Sequence, residues 1–264
     1  MTKNNYAKYC KILSCTAIEA GDKIMEIREG NIGVRYKEDS SPVTLADQAA
    51  EKIILRDLAI IAPEIPIVAE ESASEGNIPE VSNIFWLVDP HDGTKEFIAG
   101  GTDFTVNIAL IENGQPTFGI IYAPALGDIY IAKDPDTATI QKVKNGIVIG
   151  EEAPIRVRQA SKDNLTALAS KSHLDDETKA YLEKLGVKDM TSAGSSLKFC
   201  VVAAGKADIY PRFGPTMEWD IAAGHAILSA AGGTLTNPDG SPFQYNKVDF
   251  RNGAFIASGD IKQS

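Results

Sequence analysis

The sequence predicts an α+β unit followed by an α/β unit, joined in one integrated protein. The first half shows two long helical patterns and then hairpin-forming strands, and the second half alternates short strands with helices. No Pro-, Gly- or Ser-rich linker separates the halves. Residues 1–150 and 151–264 are therefore predicted to be two subdomains that share one interface.

The N-terminal half begins with two amphipathic helices. Apolar residues recur at helical spacing from Tyr6 to Ile27, and a second helix is predicted between Thr44 and Pro63. Short apolar strands are predicted at 67–68 and 84–88. The dipeptides Asn113-Gly114 and Asn145-Gly146 are typical hairpin turns, and they predict strand pairs at 104–109 with 117–122 and at 139–143 with 147–149.

The C-terminal half is predicted to alternate between strands and helices, which is typical of α/β units. The strands are predicted at 166–169, 187–190, 207–210, 234–236 and 254–257. The helices are predicted at 175–185, 195–204 and 217–231.

Composition excludes several classes of protein. Lys and Arg number 26 against 36 Asp and Glu, and this net charge of −10 argues against a nucleic-acid polymer as partner. No apolar run approaches the roughly 18 residues of a membrane-spanning helix, and no signal-peptide core precedes Tyr6. The three cysteines, which lack CxxC spacing, are expected to be reduced and half-buried in a cytoplasmic protein.

Several common catalytic motifs are missing from the sequence. It contains no P-loop, no G-x-G-x-x-G and no G-x-S-x-G elbow. The three histidines, His91, His173 and His225, are too scattered for a zinc motif. Any chemistry is therefore expected to depend on carboxylates.

The most informative stretch is Asp89-Pro90-His91-Asp92-Gly93-Thr94, which directly follows an apolar strand. Two carboxylates with a carbonyl between them can chelate a hard cation, and free amides beside that cation suit a phosphate. The alternative for either aspartate alone is a turn or a helix cap.

Other candidate residues are more ambiguous. Glu70-Glu71 follows a strand, where adjacent acids repel each other unless a cation or a salt bridge relieves the repulsion, and the alternative is a solvated acidic loop. Asp47 fits a capping box with Thr44, and Asp220 fits a helix N-cap. Two basic residues in the second half can neutralise a phosphate or can be solvated surface charges, namely Lys198 and Arg212.

Taken together, these motifs resemble the lithium-sensitive, magnesium-dependent phosphatase superfamily. It includes inositol monophosphatases, fructose-1,6-bisphosphatases and 3'(2'),5'-bisphosphate nucleotidases. The stretches 93–97, 194–200 and 210–220 are similar to the nucleotidase branch, and the resemblance runs from about Asp47 to Ala231. It implies a layered α-β-α-β-α sandwich, with most metal ligands in 1–150 and the substrate contacts in 151–264.

The resemblance also implies roles for individual residues. Two or three Mg²⁺ ions would be held by Glu70, Asp89, Asp92, Asp220 and the main-chain carbonyl of His91, where the family usually has Leu or Ile. Asp47 and Thr94 are similar to the pair that activates water, and Glu71 to an additional acid beside the metals. The amides of Gly93 and Thr94 would hold the reacting phosphate, with Asp220 beside it. The remaining phosphate and sugar would contact Ser195, Lys198, Arg212 and His173.

The expected activity is therefore Mg²⁺-dependent removal of the 3'-phosphate from adenosine 3',5'-bisphosphate, a by-product of sulfate assimilation. One alternative is an inositol-1-phosphate or fructose-1,6-bisphosphate phosphatase, which would share the metals but not the nucleotide contacts. Another is a non-catalytic regulator that binds metal or nucleotide. The sequence leaves the oligomeric state open, with a homodimer as one option, and likewise peripheral attachment to the inner face of the cell membrane.

Overall fold

The computed structural model describes residues 1, 3–37, 40–170 and 175–262. Seven α-helices lie in this part of the chain: α1 (Lys3–Arg28), α2 (Leu45–Ile61), α3 (Glu70–Ser74), α4 (Thr94–Ile98), α5 (Asp176–Lys184), α6 (Leu197–Ala203) and α7 (Glu218–Ala230). Short 3₁₀ turns occupy Lys162–Asn164 and Val248–Phe250. None of the helices in the described ranges is long and apolar enough to cross a membrane.

A seven-stranded sheet forms the centre of the N-terminal half. Its strands lie in chain order, and only the first two are parallel. They are β3 (Ile67–Ala69), β4 (Ile84–Asp92), β5 (Thr105–Glu112), β6 (Gln115–Ala123), β7 (Asp128–Asp134), β8 (Thr137–Lys144) and β9 (Ile147–Pro154). The short strands β1 (Arg35–Tyr36) and β2 (Pro42–Val43) pair with each other before it.

The second sheet has five strands: β11 (Thr166–Ser170), β12 (Asp189–Ala193), β13 (Ile209–Arg212), β15 (Thr234–Thr236) and β17 (Phe255–Ser258). Their order in the sheet is β12-β11-β13-β17-β15. Two small pairs complete the fold, β10 (Gln159–Ser161) with β18 (Asp260–Lys262) and β14 (Thr216–Met217) with β16 (Arg251–Asn252).

Three apolar clusters arrange these elements in layers. The first joins α1 and α2 to one face of the seven-stranded sheet, with Leu13 and Trp86 fully buried in it. The second joins the opposite face to α6, α7 and the five-stranded sheet. The third packs Leu182 of α5 against the outer face of the five-stranded sheet. The predicted α-β-α-β-α sandwich is therefore confirmed.

Strand β4 shows why both faces of the large sheet are covered. Trp86 and Val88 lie in the first cluster, while Phe85 and Leu87 lie in the second. Because alternate side chains of a strand point to opposite faces, a continuously apolar strand requires a layer on each side. The run at 84–88 thus specifies a central strand, and it delivers Asp89 and Asp92 at its carboxyl end.

Some local predictions were wrong. The strand predicted at 187–190 begins only at Asp189 and runs to Ala193, and β7 was not predicted although it lies inside the large sheet. Among the cysteines, which are all free thiols, only Cys10 is half-buried, since Cys15 is exposed and Cys200 is buried. The division at residue 150 stays a prediction, and β9 continues past it to Pro154.

Helix α7, which carries Asp220, lies unusually close to the large sheet at Gly119 of β6. A Cβ atom at Gly119 would lie 2.8 Å from the main-chain oxygen of Ala223 and 2.8 Å from the Cβ of Ala226. Both contacts involve atoms that are fixed by the helix backbone. The absence of a side chain at this position therefore sets the distance between α7 and the sheet.

We predict that Gly119→Ala lowers the free energy of unfolding by about 1–3 kcal/mol, because an extra methyl group overpacks the contact between α7 and β6. Urea denaturation measures this change. Gly253→Ala is the matched control, since a Cβ there meets no atom within 4 Å. Equal stability of the two variants would contradict the close-approach argument.

Candidate active site

One cavity of about 380 Å³ collects most of the residues singled out from the sequence. It lies where the carboxyl end of β4 meets the N-terminal ends of α4, α6 and α7. Its lining includes Glu70, Asp89, His91, Asp92, Gly93, Thr94, Ser195, Lys198, Arg212 and Asp220. Of the remaining candidates, Asp47 and Glu71 lie behind the lining, and His173 lies outside the described residues.

The end of β4 is shaped to present oxygen atoms. Asp89 is buried, and its Oδ1 accepts a hydrogen bond of 3.0 Å from the amide of His91. The chain then turns at Gly93, whose φ of +97° lies in the left-handed region. A Cβ atom there would lie 2.7 Å from the main-chain oxygen of Asp103. Glycine is therefore required at this turn, which starts α4 at Thr94.

Asp47 caps α2, and its second carboxylate oxygen contacts Thr94, so its geometry is compatible with both of the roles that the sequence left open. Its Oδ2 accepts hydrogen bonds from the amide and hydroxyl of Thr44, at 2.8 and 2.5 Å, as in a capping box. Its Oδ1 accepts a hydrogen bond of 2.9 Å from the hydroxyl of Thr94. The Thr94 oxygen also lies 3.1 Å from the carbonyl oxygen of His91. One carboxylate oxygen thus caps α2 while the other faces the cavity wall.

The imidazole of His91 is packed beside this pair. It is 1% exposed, lies edge-on to Phe97 and Phe104, and places Nδ1 3.3 Å from Asp47 Oδ1. Neither ring nitrogen has a well-aligned hydrogen bond within the described part of the chain. Burial alone would raise the pKa of Asp47, but contacts with His91 and Thr44 outweigh burial and lower it. Asp47 is therefore kept ionised.

The repulsion between Glu70 and Glu71 is relieved by a salt bridge with a lysine, which is one of the options that the sequence left open. Nζ of Lys37 lies 2.8 Å from Glu70 Oε1 and 2.8 Å from Glu71 Oε1. Burial would lower the pKa of Lys37, but the two carboxylates more than offset this and raise it. Burial and the charge of Glu70 raise the pKa of Glu71 to about 7.

The turn that carries Glu70 and Glu71 is held by hydrogen bonds to the side chain of Glu51 on α2. Its Oε2 accepts a hydrogen bond of 2.8 Å from the amide of Glu71, and its Oε1 accepts bonds of 3.0 and 2.6 Å from the amide and hydroxyl of Ser72. These bonds satisfy the free amides at the start of α3. Glu51 therefore sets the direction in which Glu70 enters the cavity.

The carboxylates in the cavity repel one another. Burial raises the pKa of Asp89 well above its usual value, and the charges of Glu70, Asp92 and Asp220 raise it further. The pKa of Asp220 is likewise raised well above its usual value by burial and by the charges of Asp92 and Glu70. Such a group of hard oxygen donors fits Mg²⁺, which prefers carboxylate, carbonyl and phosphate oxygens.

The arrangement is not a closed coordination cage. Within the described ranges, no three acidic, histidine or cysteine side chains converge closely enough to hold an ion as they stand. Lys37 holds Glu70, and the hydroxyl of Ser195 donates to Asp92 Oδ2 at 2.6 Å. Asp220 is the third residue of α7 rather than its N-cap, and its Oδ2 accepts from the amide of Met217 at 2.8 Å.

Two basic side chains also line the cavity. Lys198 is 4% exposed, and its Nζ donates to the main-chain oxygen of Ser195 at 2.6 Å. Burial lowers the pKa of Lys198 to about 8, although the charge of Asp92 opposes this. Arg212 lies at the end of β13. Its Nε donates to the main-chain oxygen of Gly214 at 3.5 Å, and its Nη2 donates to that of Pro215 at 3.3 Å. The cavity thus combines clustered carboxylates with two basic side chains.

Comparisons with a family model, with protein sequences and with solved structures identify known proteins that are similar to this chain. The chain matches the model of the Inositol monophosphatase family over residues 5–263. It is 44% identical over 244 residues to the 3'(2'),5'-bisphosphate nucleotidase CysQ of Salmonella typhimurium, covering 90% of this chain and 95% of that protein.

The similarity extends to solved structures. The crystal structure of CysQ from Bacteroides thetaiotaomicron matches with a TM-score of 0.76 and 38% identity, covering 94% of this chain and 95% of that one. The inositol monophosphatase of Thermotoga maritima matches with a TM-score of 0.75 and 28% identity, covering 94% and 91% of the two chains.

We predict that Asp89→Asn stabilises the metal-free protein at neutral pH by about 0.5–2 kcal/mol. The folded-state pKa of Asp89 is raised, so its ionisation costs stability as the pH rises through that value. The neutral amide removes this cost and keeps an acceptor for the amide of His91. Urea unfolding in EDTA measures the change, and the same titration with Mg²⁺ should show that the metal no longer stabilises the variant.

The control for this prediction is Asp189→Asn, at an exposed position on β12. We expect it to change neither measurement. If the metal-free Asp89→Asn protein is less stable than the unaltered chain, Asp89 stabilises the fold and does not lower its free energy of unfolding.

Proposed function

This chain belongs to the inositol monophosphatase family, and we propose that it is a Mg²⁺-dependent phosphomonoesterase that converts adenosine 3',5'-bisphosphate to AMP and phosphate. The single observation that carries the proposal is one cavity that is lined by clustered carboxylates and also by Lys198 and Arg212. A substrate with two phosphates matches this combination of groups. The similarity to a bisphosphate nucleotidase supports the same assignment.

Glu70, Asp89, Asp92, Asp220 and the carbonyl oxygen of His91 are proposed to hold two or three Mg²⁺ ions, with Glu71 as an additional acid beside them. Bound Mg²⁺ supplies positive charge that neutralises the reacting phosphoryl group and makes water more acidic. Lys37 would leave Glu70 and Glu71 as the ions bind. The protein's part is to hold these oxygens in one place before binding, which the buried position of Asp89 supports.

Asp47 and Thr94 are proposed to activate the attacking water. The water gives a proton to Thr94 Oγ1, and the Thr94 proton passes to Asp47 Oδ1, 2.9 Å away. The water oxygen then forms a bond to phosphorus while the bond between phosphorus and the 3'-oxygen breaks. The leaving 3'-oxygen takes a proton from solvent and Asp47 returns its proton to solvent, so the products are AMP and phosphate. Thr44 holds the other oxygen of Asp47 and keeps the pair aligned.

The two phosphates of the substrate are proposed to bind two different groups of residues in the cavity. The amides of Gly93 and Thr94 would hold the reacting 3'-phosphate next to Asp220, and Ser195, Lys198 and Arg212 would hold the 5'-phosphate and ribose. His173, outside the described residues, belongs to the same proposed set. Both phosphates carry charge that the net charge of −10 disfavours at long range, so the cavity itself must reverse the local sign.

The direct test is phosphate release from adenosine 3',5'-bisphosphate, inositol-1-phosphate and fructose-1,6-bisphosphate, each with Mg²⁺ and again with EDTA. We expect the highest kcat/KM for the nucleotide and no turnover in EDTA. A preference for inositol-1-phosphate or fructose-1,6-bisphosphate would retain the metal site and overturn the proposed substrate. Ligand binding without turnover of any of the three would favour a non-catalytic regulator.

We propose that the protein acts in the cytoplasm. A homodimer and peripheral attachment to the inner face of the cell membrane stay predictions. Equilibrium sedimentation and fractionation of cells test these two points.

We predict that Asp47→Asn lowers kcat by about 10²–10⁴-fold while KM for the bisphosphate changes little, because the proton acceptor is lost but the substrate contacts remain. Steady-state kinetics at saturating Mg²⁺ measure both constants. Asp57→Asn, on the same helix and away from the cavity, is the control. An undiminished kcat in Asp47→Asn would show that another group accepts the proton.

We predict that Lys198→Met raises KM for the bisphosphate by about 10–100-fold, the effect of losing a charged hydrogen bond of about 1.5–3 kcal/mol. The KM for inositol-1-phosphate, which has no second phosphate, should not change. In the unaltered protein, KM for the bisphosphate should rise as the pH passes above about 8, where Lys198 loses its charge. Methionine preserves the volume of the buried side chain.

The control for this prediction is Lys206→Met at an exposed position, which should leave both KM values and the pH profile as they are. If Lys198→Met weakened both substrates equally, Lys198 would support the cavity as a whole and would not recognise the second phosphate.

A further inference from the structure

The turn between β12 and α6 surrounds one oxygen of Asp92. Ser195 Oγ donates to Asp92 Oδ2 at 2.6 Å, and both the amide and the hydroxyl of Ser196 lie 2.7 Å from the same oxygen. Ser195 adopts a left-handed backbone with φ of +52°, which is uncommon for a residue other than glycine. That turn is what brings three donors from adjacent residues onto one acceptor.

The Ser196 hydroxyl also connects other elements of the site. It lies 2.6 Å from the main-chain oxygen of Asp220, so its single proton is shared between Asp220 and Asp92. The side-chain amide of Asn107, on β5, donates to the same hydroxyl at 2.9 Å. Ser196 is 2% exposed and Asn107 is 1% exposed, so water does not replace these contacts. A single buried hydroxyl thus joins β4, β5, α6 and α7.

The arrangement leaves the two oxygens of Asp92 unequal. Oδ2 faces three donor groups, one of which, the Ser196 hydroxyl, is shared with the main-chain oxygen of Asp220, while the described residues place no hydrogen-bond donor on Oδ1. A carboxylate oxygen with its lone pairs engaged by fixed donors is a poor ligand for a cation, and the second oxygen is left available. The same contacts fix the start of α7, which carries Asp220, relative to the end of β4.

We propose that Ser196, supported by Asn107, is a positioning residue for the metal site. It turns one oxygen of Asp92 toward the cavity and holds Asp92 and Asp220 at a fixed separation. In this role Ser196 acts through its contacts with Asp92 and with the main chain of Asp220. This inference rests on the proposed function only insofar as Asp92 and Asp220 bind Mg²⁺, and it does not depend on which phosphate ester is hydrolysed.

The test is calorimetric titration of the full-length protein with Mg²⁺, together with the Mg²⁺ concentration that gives half-maximal phosphate release. Ser196→Ala should weaken Mg²⁺ binding by about tenfold or more, as is usual when a group that orients a metal ligand is removed. Saturating Mg²⁺ should restore most of kcat. The control is Ser192→Ala, the same substitution at an exposed position on β12, which should leave both values unchanged.

A purely structural role for Ser196 predicts a different pattern. Ser196→Ala would then lower the thermal unfolding temperature and kcat together, with unchanged Mg²⁺ affinity and no rescue by added Mg²⁺, and that result would overturn the inference. Asn107→Leu leaves Ser196 in place and should shift Mg²⁺ affinity in the same direction, so it carries the test if Ser196→Ala does not fold. Unchanged affinity in a folded Asn107→Leu protein would also overturn it.

The inference and the proposed function fail in distinguishable ways. If the unaltered protein does not bind Mg²⁺, the proposed function is wrong. If the unaltered protein and folded Ser196→Ala bind Mg²⁺ equally, the proposed function stands and only the role of Ser196 is refuted.

Discussion

The mutual repulsion of carboxylates in one cavity is the constraint around which this site is built. Asp89 is buried with Glu70, Asp92 and Asp220 near enough to raise its pKa well above the usual value. The protein relieves part of that charge with Lys37 on Glu70 and with serine donors on Asp92. Such an arrangement reduces stability and is retained for what it binds. A hard divalent cation fits the charge and the oxygen donors of this cavity.

The layered fold is what allows four carboxylates from distant parts of the sequence to meet. Asp89 and Asp92 come from the central strand β4, Glu70 from the short helix after β3, and Asp220 from α7 between the two sheets. Each element is fixed by packing away from the cavity, as α7 is at Gly119. The free-energy cost of the repulsion between carboxylates is therefore offset by the packing of the apolar clusters. This separation leaves the cavity free to hold an unfavourable arrangement of charge.

The sequence allowed the layers and the acidic half of the site to be predicted because both depend on local signals. The apolar run 84–88 and the turn at Gly93 can be recognised in the sequence without knowledge of their three-dimensional contacts. The same holds for a family resemblance that rests on contiguous motifs. Lys37, Glu51 and Asn107 could not be found this way, since each acts through a partner 20 to 89 positions away in sequence and lies in no motif. The sequence also could not decide for Asp47 between capping and a position in the site, because its two oxygens make different contacts, one with Thr44 and the other with Thr94. That distinction exists only in three dimensions.

The most direct test of this account is the number of protons released when Mg²⁺ binds at neutral pH. Calorimetric titrations in two buffers of different ionisation enthalpy give that number. If the raised pKa values of Asp89 and Asp220 reflect carboxylates that share protons in the absence of metal, binding must displace protons, and a net release is expected. Mg²⁺ binding without any exchange of protons would contradict the claim that repulsion between carboxylates governs the site.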